Sequence, residues 1–204
     1  MSAPRLDDVM CAFSCIKALT DNKENNKSVN VCAIFDNEEV GSTTKQGADS
    51  SFLYDVLSRI SMCMGKDSED FIRACASSFM LSADNAHAVH PNYKEKADPT
   101  NRPYMNKGIV IKYNANQKYT TDAISASIFK EICKKAGVEV QSYVNRSDIP
   151  GGSTLGNISN SHVSLNTVDI GLAASIDVQL RTSEHRSMYS YVRLSIDRCT
   201  ATYV

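Results

Sequence analysis

A chain of 204 residues with 42% hydrophobic and 22% charged residues has ordinary globular composition, and its length suits one domain with a sizeable core. Folding at this size removes roughly 70% of the extended chain's surface from water, so disulfide staples are not required. With 22 Lys+Arg against 23 Asp+Glu the net charge is -1, which offers no positive field to gather phosphate and excludes nucleic acid as an expected partner. The same balance argues against an electrostatic membrane anchor. No apolar run approaches the roughly 20 residues that cross a bilayer, and the start at Met1 is no export signal, so the expected location is the cytoplasm.

Seven cysteines (Cys11, Cys15, Cys32, Cys63, Cys75, Cys133 and Cys199) are an odd number, mostly set in apolar stretches. They read as reduced core thiols. No Cys-x-x-Cys pair occurs and no histidine stands beside Cys11 and Cys15, so a zinc-thiolate site is disfavoured.

Leu6, Val9, Met10, Phe13, Ile16 and Leu19 follow helical spacing and predict a helix over 6–19, with Pro4 just before it. Residues 21–28 are polar and read as a surface turn. A β-rich apolar run over 29–35 predicts a buried strand that stops at an acid cluster. Phe52, Leu53, Val56, Leu57 and Ile60 share one face of a helix over 49–62, and a short helix is expected over 69–76. Residues 79–83 read as a strand ending in Asp84. The Pro- and Asn-rich stretch 87–107 is a long loop, and therefore one expected to carry function.

Residues 109–111 read as a strand. A helix over 122–136 is expected to take its cap from Thr120 or Thr121 and to stop at Gly137. Strands are expected at 138–144 and 162–170, on either side of a sharp turn at Pro150-Gly151-Gly152. The repeated strand-then-helix order implies an α/β fold, a layered central β-sheet with helices on both faces.

Ligands collect at the carboxyl ends of strands in such sheets, and three of these ends carry chemistry. The first is Asp36-Asn37-Glu38-Glu39-Val40-Gly41-Ser42, whose crowded carboxylates are either a solvated acidic loop or a cation site. The second runs Ser82-Ala83-Asp84-Asn85-Ala86-His87-Ala88-Val89-His90-Pro91-Asn92, where an acid and two imidazoles leave a strand together. Those are donors that suit zinc, although such histidines also serve as hydrogen-bonded structural residues. The third, Asp148-Ile149-Pro150-Gly151-Gly152-Ser153-Thr154-Leu155-Gly156, matches no phosphate-binding pattern and alone reads as a tight turn.

Taken together, the segments at 2–8, 35–42, 82–92, 107–114 and 151–154 resemble, in order and spacing, the aspartyl aminopeptidase family of dinuclear zinc aminopeptidases, and the resemblance runs from Ser2 to about Ala173. It implies that Asp7 bridges two zinc ions, that Glu39 and Asp84 are further zinc ligands, and that Glu38 is the general base. It also implies that His87, Lys112 and Tyr119 contact a peptide substrate, Lys112 being suited to an acidic side chain, and that the complete protein is a homo-oligomer. Two clamped metals would lower the pKa of a shared water while a carboxylate held off them moves the proton.

Two features of the family pattern are missing. The family's catalytic domain begins well before Ser2 with a segment that supplies a zinc-binding histidine and is followed by an inserted β-rich domain. After residues 169–173 the family continues into Met-His-Ser, whose histidine is another ligand, whereas this chain reads Ala174-Ser175-Ile176 and reaches His185 only later. The expected organisation is therefore residues 1–173 as the C-terminal part of a zinc aminopeptidase catalytic domain and 174–204 as a divergent tail. The expected function is removal of N-terminal, acidic residues from peptides; the alternative is a catalytically inactive fragment or assembly piece that lacks two histidine ligands, such as a truncated or frameshifted gene yields.

Overall fold

The structure is a computed structural model and describes residues 4–22, 28–174 and 188–195. Seven strands form one mixed sheet: β1 (Ser28–Phe35), β2 (Phe79–Ala83), β3 (Ala86–His87), β4 (Ile109–Tyr113), β5 (Val140–Val144), β6 (Asn166–Ala174) and β7 (Met188–Ser195). The order is β1-β7-β2-β6-β4-β5, with β3 pairing β6 beyond the end of β2. β2 lies parallel to β6, and β1 and β2 both run antiparallel to β7 between them. The carboxyl ends of β1, β2 and β6 therefore share one edge of the sheet. β4 and β5 run the other way.

Five helices cover the sheet: α1 (Leu6–Asp21), α2 (Phe52–Cys63), α3 (Ser68–Ala76), α4 (Ala123–Lys135) and α5 (Leu155–Asn160). Side chains alternate faces along a strand, and the two core clusters divide accordingly. Met80 of β2 packs with Phe35, Leu53, Leu57, Phe71 and Leu155, so α2, α3 and α5 lie on its side. Its neighbour Ala83 packs with Cys11, Ile111, Ala126, Phe129 and Ile170, which puts α1 and α4 on the other. Helices thus cover both faces, the layered α/β arrangement expected.

Most expected elements form near their expected bounds, with four informative differences. The helix expected from residue 49 starts at Phe52. Neither Thr120 nor Thr121 caps α4. Asp122 does, accepting from Ser125 N at 2.7 Å while Ser125 Oγ accepts from Asp122 N at 3.0 Å. Both threonines are engaged elsewhere: Thr120 N and Oγ1 donate to Asp169 Oδ2 at 2.6 and 2.8 Å, and Thr121 Oγ1 accepts from Asp169 N at 2.9 Å. Finally, residues 162–165 lie outside β6, and the loop expected over 87–107 holds only the end of β3 and one short 3-10 turn at Lys94–Lys96.

Besides the two-residue β3, two elements had no counterpart in the sequence reading. α5 is six residues long and contains Gly156, a poor helix former, but Leu155 is fully buried and Gly156 cannot be larger: a Cβ there would stand 2.5 Å from Asp169 Oδ1. β7 occupies the slot between β1 and β2, so part of the segment after residue 173 completes the sheet. The polar turn expected at 21–28 and the remainder of the tail, His185 included, fall largely outside the described residues.

Candidate metal centre

The site is built where α1 begins and β2 ends. Asp7 (φ -90°, ψ 107°) and Asp8 (φ -125°, ψ 31°) are not helical, although α1 nominally includes them. On a regular helix successive side chains diverge by about 100°; released from that geometry, both carboxylates face the end of β2. Oxygens of Asp7, Asp8 and Asp84 lie within 4.8 Å of one another, the one such group among the described residues.

Asn85 holds the two segments together. Its Nδ2 donates to Leu6 O at 3.1 Å and its Oδ1 accepts from Cys11 Sγ at 3.4 Å, tying both sides of the Asp7-Asp8 step to the residue after Asp84. β6 supports the same point: Asp84 N donates to Ile170 O at 3.0 Å, and a Cβ on Gly171 would stand 2.0 Å from the Asp84 carbonyl oxygen. Only glycine allows that approach.

Crowding of carboxylates shows in their proton affinities. Asp8, 3% exposed, has its pKa pushed up to about 8, by burial first and then by the charge of Asp84. The Cys11 thiol beside it pulls the other way, lowering it through a side-chain hydrogen bond. Glu38, in the 3-10 turn Glu38–Val40 that follows β1, is also raised to about 8, by burial and then by Asp84, Glu39 and Asp7. It therefore sits against the cluster electrostatically. Glu39 is exposed and adds its charge to Glu38, but it is not among the three gathered carboxylates.

Lys112, 2% exposed in β4, donates to Asp84 Oδ2 at 2.7 Å. Burial disfavours its ammonium, yet the charges of Asp84, Tyr119 and Asp169 and the hydrogen bond to Asp84 together outweigh that and hold its pKa above the ordinary lysine range. Its Nζ stands 5.6 Å from the Tyr119 ring centre. Tyr119 is buried, which raises its phenol to about 12 against the opposing pull of Lys112. Tyr143 of β5 links this group to His87, its ring centre 6.4 Å from Tyr119 and 6.5 Å from His87. His87 keeps solvent contact, but crowding on its buried side and then the Lys112 charge lower its pKa.

The structure thus brings Asp7, Asp84 and Glu38 to one place and His87, Lys112 and Tyr119 to the adjoining one. The sequence reading had passed over Asp8, Asn85 and Tyr143. Consecutive acids at 7 and 8 were the only available signal for the first, and nothing local marked the others.

Three carboxylates, a carboxylate-rich strand end and a single buried ammonium fit a divalent cation by charge and donor type. Residues 1–191 match the family described as aminopeptidase I zinc metalloprotease (M18). The chain belongs to that family. Among M18 relatives, a probable M18 family aminopeptidase 2 of Clostridium novyi is 54% identical over 171 residues, covering 84% of this chain and 39% of its own length. A probable aspartyl aminopeptidase of Ricinus communis is 45% identical over 173 residues, 82% of this chain and 35% of its own. The S. cerevesiae mApe1 dodecamer superposes with a TM-score of 0.70 at 28% identity, covering 96% of this chain and 42% of that one. The M18 chain described here spans well under half the length of these relatives. No helix among its described residues is long and apolar enough to cross a membrane.

Proposed function

We propose that residues 1–173 are the C-terminal part of the catalytic domain of a zinc aminopeptidase that removes N-terminal, acidic residues from peptides, with 174–204 a divergent tail. The meeting of Asp7 and Asp84, far apart in sequence, at the carboxyl edge of the sheet carries this reading. Asp7, Glu39 and Asp84 are the carboxylate ligands for two zinc ions in this proposal, and zinc, when bound, supplies Lewis acidity toward the scissile carbonyl and its attacking water.

Glu38 takes a proton from that water and returns it to the leaving amine. Its raised basicity suits that task, because a base near neutral pKa accepts a proton readily and still gives it back. Lys112 provides positive charge for an acidic substrate side chain, with Tyr119 and His87 shaping the pocket around it. Two ligand histidines of the family lie outside this arrangement, one in the part of the relatives upstream of this chain and one in the segment that residues 174–204 replace. The chain alone is therefore the inactive alternative, and the complete enzyme is a cytoplasmic homo-oligomer, as the dodecameric relative supports.

The test is a chimera that places the upstream part of the Clostridium novyi relative before Met1 and its C-terminal part after Ala173. Zinc-dependent release of aspartate from an aspartyl-anilide substrate is expected. Glu38→Gln in that chimera abolishes release while zinc stays bound, and Glu39→Gln lowers the zinc content. A folded chimera without turnover refutes the reading, and retained turnover in Glu38→Gln removes Glu38 as base.

A further inference from the structure

We propose that Tyr143 is a specificity-determining residue, its phenol donating a hydrogen bond to the carboxylate side chain of an acidic N-terminal residue held beside Lys112, Tyr119 and His87. The inference rests on the aminopeptidase reading above and deepens it, because it adds a substrate contact on β5 that the family resemblance does not assign.

The sheet sets the placement. β4 and β5 are parallel, and Lys112 stands opposite Tyr143 in their register, so the two side chains leave the same face at adjacent positions. The Tyr143 ring centre lies 6.4 Å from that of Tyr119 and 6.5 Å from that of His87, and Lys112 Nζ stands 5.6 Å from the Tyr119 ring centre. β3, β4, β5 and the loop before α4 therefore each bring one side chain to a single cluster.

Exposure divides the work within it. Lys112 is buried and already bonded to Asp84 at 2.7 Å, and Tyr119 is buried as well. His87 is exposed and Tyr143 half-buried, so a side chain arriving from solvent meets these two first. An ammonium paired with Asp84 has less to offer a second carboxylate, whereas a phenol is a hydroxyl donor. Burial raises the Tyr143 phenol above its ordinary range, which keeps that donor protonated at neutral pH. The Lys112 charge opposes the shift, and Tyr143 in turn raises the Tyr119 phenol, so the two hydroxyls and the ammonium lie within electrostatic reach of one another. A site that donates to a substrate carboxylate discriminates against a neutral analogue, because its donors are then left unpaired.

Kinetics of the chimera described above test this, with an aspartyl-anilide, its neutral isostere the asparaginyl-anilide, and the variants Tyr143→Phe and Tyr143→Leu. Tyr143→Phe keeps the ring and removes the donor. The ratio of kcat/KM for aspartyl over asparaginyl substrate is expected to fall roughly tenfold in Tyr143→Phe, through a higher KM for the aspartyl substrate, and at least as far in Tyr143→Leu. Zinc content and melting temperature in Tyr143→Phe should match those of the unsubstituted chimera, which separates lost recognition from lost folding. Selectivity kept in Tyr143→Phe and lost only in Tyr143→Leu overturns the donor role and leaves the ring as a wall. An equal fall on both substrates overturns the specificity role and leaves the aminopeptidase reading standing, as does an unsubstituted chimera that cleaves both substrates equally well. A folded chimera without turnover overturns both.

Discussion

Lys112 and Asp84 form an ion pair at 2.7 Å, and the Asp84 charge helps to keep the buried Lys112 ammonium protonated against the cost of burial. Breaking a buried pair leaves an uncompensated charge, so Lys112→Met is expected to cost about 3 kcal/mol of folding stability in chelator, measured by urea denaturation. Added zinc should restore part of that loss by replacing the missing positive charge; no loss in chelator would mean that Asp84 finds another partner. Asp8 and Glu38 impose a pH dependence of definite sign. Their carboxyls rise from ordinary values of 3.8 and 4.5 to about 8 on folding, so between those limits the folded chain holds protons that the unfolded chain has released. Stability is then greatest at the acidic end of this window and falls as pH rises to about 8, levelling above it. Thermal melts in chelator across pH 4 to 9 should show this fall against whatever the remaining groups contribute, and saturating zinc should flatten it.

Among the elements, the contact of β6 with the end of β2 sets where Asp84 stands. Gly171→Ala would place a Cβ 2.0 Å from the Asp84 carbonyl oxygen, which is backbone and cannot swing aside. Loss of about 2 kcal/mol is expected, together with weaker metal binding, because the displaced strand end carries a ligand. Gly152→Ala is the matched control: its Cβ would meet nothing within 4 Å, so melting temperature and metal affinity should stay unchanged. Equal behaviour of the two variants would show that the close approach is not a constraint. Asp169, two positions before Gly171 on β6, plays a related part. Fully buried, it receives the Thr154 hydroxyl at 2.7 Å and the Thr120 amide and hydroxyl, so one carboxylate fixes both the glycine-rich turn and the loop carrying Tyr119.

At the scale of the whole molecule, the chain spans 39% of the Clostridium novyi relative, and its surface carries the consequence. Val9, Phe13 and Ile16 are 51%, 66% and 44% exposed and lie at helical spacing along one stripe of α1. β1 and β5 end the sheet's strand order, and each pairs with a single described neighbour. Unpaired strand edges and an apolar stripe favour association. Light scattering of the purified chain should therefore give a mass well above 22.4 kDa, and the double variant Phe13→Lys, Ile16→Lys should reduce it. A monodisperse monomer for the unmodified chain would show that these surfaces are tolerated in water.

The sequence by itself determined the layered α/β class, the bounds of β2, and the strand ends where Glu38 and Asp84 emerge, because apolar periodicity and turn chemistry are local. Its motif order also carried the family resemblance. Only the tertiary structure decided that β7 fills the gap between β1 and β2, since strand insertion depends on backbone hydrogen bonds that any side chains permit. The same holds for the pairing of Lys112 with Asp84 and for Asn85 joining α1 to β2, contacts across 28 and 79 positions that no short window contains. Asp8 is the sharpest case. Beside Asp7 in sequence it looks like one more surface acid, and it becomes a buried carboxylate only when the chain leaves helical geometry and the end of β2 closes over it.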